Sequence, residues 1–161
     1  LTFTGKRGDL LTSKSNMEES YELKMRAMLG DAFGDDREIT ILNRRIRWEE
    51  GCLHYEADTK HVSEILKYFN LNDESKGLVV PFVRETREDL AKEDVDLPPE
   101  IATEFRGLAA RANYLSSDRV DIQYATKEIC RDMAVPKESS MSKMKRLARY
   151  LLRCPRQVLI F

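Results

Sequence analysis

The reading of the fold turns on FRGLAARANYLSSDRVDIQYATKEICRDMAVP, residues 105–136, followed by MSKMKRLARYLLRCPR, residues 141–156. Phe105, Leu108, Ala109, Ala112 and Leu115 recur at the three- and four-residue steps that bring side chains onto one face of an α-helix. Ile122, Ala125, Thr126, Ile129, Cys130 and Met133 form a second stripe, which Pro136 ends because proline has no backbone N–H to donate. Met141, Met144, Leu147, Ala148 and Leu151 form a third, stopped by Pro155. Successive one-sided helices need a partner layer for each apolar face, so this third of the chain predicts packed helices.

Upstream, Met17, Tyr21, Met25 and Met28 predict a helix over residues 11–29, with Gly30 as its stop. After a Gly-Asp-rich loop, residues 39–48 read as a strand in which Leu42, Ile46 and Trp48 alternate with Asn43, Arg45 and Arg47. Glu49, Glu50 and Gly51 punctuate it before Leu53 to Tyr55, which completes a β-hairpin. Asp58 is a suitable N-cap for a helix carrying Val62, Ile65, Leu66 and Phe69, and Asn70 and Asn72 mark its exit. Residues 73–100 are dominated by charge and interrupted by Pro81, Pro98 and Pro99; only Leu78 to Val83 is apolar enough to pair as a strand or lie across a surface. The fold class is mixed α+β: a β-hairpin plus about five helices.

The 161 residues suit about one domain, and 42% hydrophobic with 34% charged residues is a globular balance. No apolar run approaches the roughly 18 residues that cross a membrane, and no membrane partner is expected. Leu1 stands where a start methionine would, with no signal region behind it, so the beginning reads as internal to a longer frame. Cys52, Cys130 and Cys154 are odd in number and far apart, which fits neither a disulfide framework nor a zinc site. The net charge of -1 hides an asymmetry: residues 104–161 carry 12 Lys and Arg against 6 Asp and Glu, residues 1–103 carry 15 against 22, and +6 with -7 gives the total. The basic C-terminal third is suited to meeting phosphate.

Asp35 and Asp36 invite a two-metal reading, since such centres need clustered carboxylates. The pair lies in a Gly-flanked acidic turn with no aromatic-apolar strand before it, and a solvated turn is expected. Asp89, Glu93, Asp94 and Asp96 are expected to be a solvated acidic linker. Lys145, Arg149, Arg153 and Arg156 line up on the last helix opposite its apolar stripe, with Lys143 and Arg146 beside them. Such a face either grips a phosphate backbone or is an ordinary solvated surface. Arg44, Arg45 and Arg47 pose the same choice in the hairpin. Trp48, Tyr55, Tyr68, Tyr114, Tyr124 and Tyr150 offer base-stacking surfaces, with packing beside the apolar stripes as the commoner use. A Gly-rich phosphate loop, a GxSxG elbow and a Cys-His nucleophile pattern are all missing, and a small-molecule enzyme has no support.

Several short motifs, taken in order, resemble the reverse transcriptase of copia-type retrotransposon Pol polyproteins. Residues 1–8 resemble the loop after the Tyr-x-Asp-Asp of that family, and residues 13–29 its next helix, with Tyr21, Met25 and Leu29-Gly30 as the nearest equivalents. Ile41-Leu42-Asn43 through Trp48 resembles "F-L-G-I-x-I", the primer-gripping hairpin, and residues 53–69 resemble the start of the thumb. Phe105-Arg106-Gly107-Leu108 resembles "Y-R-x-L-V-G", Ala112 to Leu115 "L-x-Y-L", Asp118 to Ile122 "T-R-P-D-I", and Lys145-Arg146-Leu147 through Leu151 "K-R-x-L-R-Y-L". Asn43 stands for the hairpin Gly and Val120 for the Pro of the Thr-Arg-Pro-Asp-Ile motif, and Ala110-Arg111 fall where the family usually has Gly and a small or apolar residue.

The resemblance implies the end of the palm and a primer-grip-like hairpin over 1–57, a thumb-like helix and charged linker over 58–103, and a helical connection towards ribonuclease H over 104–161. It implies a segment that positions template and primer without the catalytic carboxylates, inactive as a polymerase by itself. Its partners would be an RNA–DNA or DNA primer-template duplex and the missing palm, fingers and ribonuclease H parts. No cofactor is expected in this segment, although the intact polymerase would use magnesium. The implied nucleic-acid contacts are Asn43, Arg44, Arg45, Arg47, Lys145, Arg149 and Arg153. The alternative is a helical interaction module or decayed retroelement remnant whose basic face meets an acidic partner.

Overall fold

The computed structural model describes residues 2–84, 86 and 93–161, and the chain adopts the expected α+β class. Among the described residues the elements are helix α1 (Arg7–Glu18), strands β1 (Glu38–Ile41), β2 (Arg44–Glu49) and β3 (Cys52–Glu56), helices α2 (Lys60–Tyr68) and α3 (Pro99–Ser116), a 3-10 turn (Val120–Ile122), helices α4 (Gln123–Arg131) and α5 (Glu138–Arg153), and strand β4 (Val158–Ile160). The four strands form one antiparallel sheet in the order β1-β2-β3-β4.

The core sits in the helical half. Ile65 from α2, Phe105, Ala109 and Ala112 from α3, Ile129 from α4 and Met144, Leu147, Ala148 and Leu151 from α5 are fully enclosed, with Ile122 beside them. Each of the three stripes read from residues 105–151 supplies part of this core, because the helices they create are one-sided and cover one another, with α2 closing the remaining side. Helix α2 packs on α3 and α5, and α4 bridges α3 and α5. At α2 the N-cap is Thr59 rather than the expected Asp58; Asp58 stands one residue earlier, and its carboxylate accepts from the first helical N–H, that of Lys60, at 2.8 Å.

The sheet is less enclosed. Ile39, Ile41, Ile46, Trp48 and Leu53 share one face, and with the N-terminal segment they line a cavity of about 540 Å³. Two hairpin turns set the register. Leu42 and Asn43 both adopt positive φ (50° and 63°), as do Glu50 and Gly51 (52° and 78°), the pairing of left-handed residues that lets a two-residue turn match the strand twist.

Three local expectations are corrected. The helix expected over 11–29 ends at Glu18, and the chain is non-helical from Tyr21 to Leu29. Tyr21 and Met25 stay 66% and 52% exposed, so no partner surface repays a helical stripe there, and Leu23, Met25 and Met28 instead border the sheet-side cavity from a non-helical chain. Gly30 is therefore no helix stop; a Cβ at that position would lie 2.6 Å from Asp35 Oδ2, and the carboxylate packs where the side chain would be. The strand expected over 39–48 is broken by the Leu42-Asn43 turn into β1 and β2. Strand β4, which no local signal announces after Pro155, exists because β3 offers it an open edge. Of the two expectations for Leu78 to Val83, the segment follows the second: it forms no strand and lies across the helical surface, its Leu78 N–H donating to the Arg149 carbonyl at 3.0 Å. Of the expected linker carboxylates, Asp89 lies outside the described residues, as does Leu1.

Candidate nucleic-acid interface

Helix α5 presents two opposed faces. Met144, Leu147, Ala148 and Leu151 point into the core, and Lys145, Arg149 and Arg153 lie on the other side, Lys145 and Arg153 exposed and Arg149 half-buried. The Arg149 Nε donates to the Lys76 carbonyl at 2.8 Å, which fixes the guanidinium and leaves its four other N–H donors outside that bond. Arg156, one turn further on, is drawn away: its guanidinium forks onto the Glu56 carboxylate of β3 and tethers the sheet to the end of the helix. That pairing holds Glu56 below the usual carboxylate range and raises Arg156. Lys143 reaches Asp132 at 3.1 Å.

The hairpin arginines are brought to the same sheet but not to one open surface. Arg45 forks onto Glu38 with two bonds of 2.7 Å, and Arg47 meets Glu49 at 3.2 Å. Arg44 turns to the other face, where its Nε donates to Asp118 Oδ2 at 2.7 Å and its guanidinium lies 5.2 Å over the Tyr114 ring. Tyr55 donates to the second Asp118 oxygen at 2.7 Å, and burial together with that carboxylate pushes its phenol up to about 12. Asn43 donates to Asp58 Oδ2 at 3.3 Å, tying the β1–β2 turn to the start of α2. Asp118 is the hub that joins β2 and β3 to the end of α3.

Two arginines of the family-like motifs have structural partners that the sequence reading did not foresee. Arg119 is 1% exposed, forks onto Asp121 at 2.9 and 2.7 Å, and donates to the carbonyls of Cys154 and Pro155 at 2.9 and 3.2 Å. It thus satisfies carbonyls at the C-terminal end of α5, where the helix dipole favours a cation. Tyr150 adds a 2.8 Å bond to Asp121. Burial alone would raise the Asp121 carboxyl, but the bonds from Arg119 and Tyr150 outweigh it and hold it below its ordinary value. Arg106 plays the same part at α4, its Nε donating to the Met133 carbonyl at 2.9 Å. A charged residue set directly against an apolar stripe, as Arg106 follows Phe105, is the sequence signal that such a clasp leaves.

The acidic candidates also acquire defined partners. The Asp35 side chain, far from solvated, is 5% exposed, accepts from Arg7 and accepts from the Ala32 N–H at 3.0 Å. Asp36 accepts from the Met28 N–H at 3.1 Å. This turn-closing pair does not fit a two-metal centre, because both Asp35 oxygens and one Asp36 oxygen accept from N–H donors. Among the described residues no three His, Cys, Asp or Glu side chains are grouped to hold an ion. Asp94, expected to be solvated linker, takes the Ser139 N–H at 3.1 Å and the Ser139 hydroxyl at 2.6 Å, capping the first turn of α5, and those bonds lower its carboxyl.

The aromatic side chains divide. The hydroxyls of Tyr55, Tyr68 and Tyr150 end on Asp118, Glu104 and Asp121. Tyr124 is exposed with its ring edge-on to Phe82 at 5.3 Å, and Tyr114 packs on His61 at 4.8 Å. No helix among the described residues is long and apolar enough to cross a membrane.

No family model matches the chain, and no solved structure matches it. Over 53 residues, 33% of this chain, it is 38% identical to the retrovirus-related Pol polyprotein from transposon RE1 of Arabidopsis thaliana, and the matched stretch spans 4% of that polyprotein. A third of the chain is thus similar to part of a retrotransposon Pol polyprotein.

Proposed function

We propose that the chain is a copia-type reverse transcriptase segment, comprising the end of the palm, the thumb and the connection, which positions an RNA–DNA or DNA primer-template duplex without supplying the catalytic carboxylates. The observation that carries this reading is the division of α5: a fully buried stripe fixes the helix, and Lys145, Arg149 and Arg153 are left on its outer side. A helix so anchored presents cations at steps of four residues without having to order its backbone at binding, which suits a run of phosphates. The ordered motifs and the partial likeness to a transposon Pol polyprotein supply the choice of nucleic acid over other polyanions. Asn43, Arg44, Arg45 and Arg47 belong to this reading as contacts of the hairpin. The arginines among them must exchange an existing carboxylate for a phosphate, so the α5 side carries the larger share of the affinity. Magnesium and nucleotide chemistry belong to the remainder of the polyprotein.

The test is binding of the purified chain to a labelled RNA–DNA primer-template duplex across a salt series. Micromolar or tighter binding that weakens steeply with salt, and that drops when Lys145, Arg149 and Arg153 are changed together to Ala, is the expected result. A folded protein that does not bind, or that binds an acidic polypeptide equally well, would make the α5 face an interaction surface instead. Magnesium-dependent nucleotide incorporation by the chain alone would overturn the non-catalytic half of the reading.

A further inference from the structure

Residues 76–78 cross the last turns of α5 in close backbone contact. The Lys76 carbonyl accepts from Arg149 Nε at 2.8 Å, and the Leu78 N–H donates to the Arg149 carbonyl at 3.0 Å. Between them Gly77 lies against the helix, where an added Cβ would stand 2.9 Å from the Arg153 Cβ and 3.5 Å from both the Arg153 Cα and the Arg149 carbonyl. Real Cβ atoms do not come as near as 2.9 Å, and the atom met there is the Arg153 Cβ, which the helix backbone fixes and no rotamer change can move; the two backbone atoms are at ordinary contact distance. The crossing is anchored beyond both ends by Leu71 and Phe82, packed against the core. It brings exposed Lys76 beside Arg149 and Arg153, from a stretch 69 residues before Lys145 in the sequence, so no reading of the α5 pattern includes it.

We propose that Lys76 is a further phosphate contact of the α5 face, delivered by the 76–78 crossing, and that Gly77 is the positioning residue that permits the crossing. The inference rests on the nucleic-acid reading above and extends the basic surface sideways from one helix to two chain segments. The patch then combines Lys76, Lys145, Arg149 and Arg153, two of them compact ammonium charges and two guanidinium forks, a mixture that suits an unspecific phosphodiester backbone better than a single base edge.

The experiment measures duplex affinity from low to moderate salt for the wild type, Lys76→Ala, Lys76→Arg, Gly77→Val, the α5 triple-alanine variant and Lys127→Ala, the last an exposed lysine of α4. Folding of each is checked by circular dichroism and thermal melting. Lys76→Ala should lower the slope of log affinity against log salt by about 0.7 to 0.9, one phosphate contact, with Lys76→Arg restoring it and Lys127→Ala leaving it unchanged. Gly77→Val should reproduce the loss while retaining the lysine. An unchanged slope for Lys76→Ala, beside a reduced one for the triple variant, overturns this inference and leaves the function standing. A Gly77→Val protein that binds as the wild type does overturns the positioning role of Gly77. Absence of salt-dependent binding in the wild type overturns the functional reading, and the inference with it.

Discussion

Arg119 and Asp121 show how much a single ion pair is asked to do. The guanidinium is 1% exposed and holds two carbonyls at the end of α5 as well as the carboxylate. Removing only the carboxylate, as in Asp121→Ala, strands a buried charge, and a loss of about 3 kcal/mol is expected in denaturant unfolding. Replacing both, Arg119→Met with Asp121→Leu, should cost less than the single change if the stranded charge is the cause. The acid limb gives a second readout. Because the folded carboxyl lies below its ordinary value of 3.8, its stabilisation is complete above that value and is lost as the pH falls through the folded pKa. Asp121→Asn should flatten that limb. At the β1–β2 turn, Leu42 holds φ of 50° with its side chain 74% exposed. A branched apolar residue gains nothing from that conformation, whereas Asn tolerates it. Leu42→Asn should raise the unfolding free energy by about 0.5 to 1 kcal/mol, read as a shifted midpoint at constant slope.

Among the elements, the helices that the sequence defined most clearly are those that bury a stripe. Helices α3, α4 and α5 follow from Phe105 to Leu151 because burial and helical period coincide there, and all of the Met144, Leu147 and Leu151 side chains reach the core. Where the stripe has no partner, as from Tyr21 to Met28, the period misleads, since propensity gives way to tertiary packing. Strand β4 was illegible for the converse reason: Val158 to Ile160 is a strand only because β3 has a free edge, a fact outside its own three residues. Helix α3 also carries a residue that neither packing nor backbone demands. Gly107 lies inside it, with open space where a Cβ would go. Gly107→Ala should stabilise the protein by about 0.5 to 1 kcal/mol, since glycine forfeits more backbone entropy than alanine in a helix. A loss of stability on thermal or denaturant unfolding would mean that the position meets something else.

For the whole molecule, the sheet and the helical core are joined largely by charge. Arg44 and Tyr55 converge on Asp118, and Arg156 crosses to Glu56. Asp118→Ala should therefore free β2 and β3 more than α3 and α5. Hydrogen exchange is the measurement: faster strand amides with little change in helix amides is expected, and uniform acceleration would place Asp118 in the common core instead. The candidate site was legible in part for the same reason. The line of Lys145, Arg149 and Arg153 follows from helical spacing, but the carboxylates that occupy Arg44 and Arg156 come from distant segments, as does the Lys76 backbone on Arg149. No local pattern encodes those meetings. The most direct test of a duplex-positioning role for this face is lysine acetylation with and without the RNA–DNA primer-template, read residue by residue by mass spectrometry. Protection of Lys145 by the duplex, with Lys127 equally reactive in both states, is the expected result. Lys145 left as reactive in the presence of saturating duplex as in its absence would contradict it.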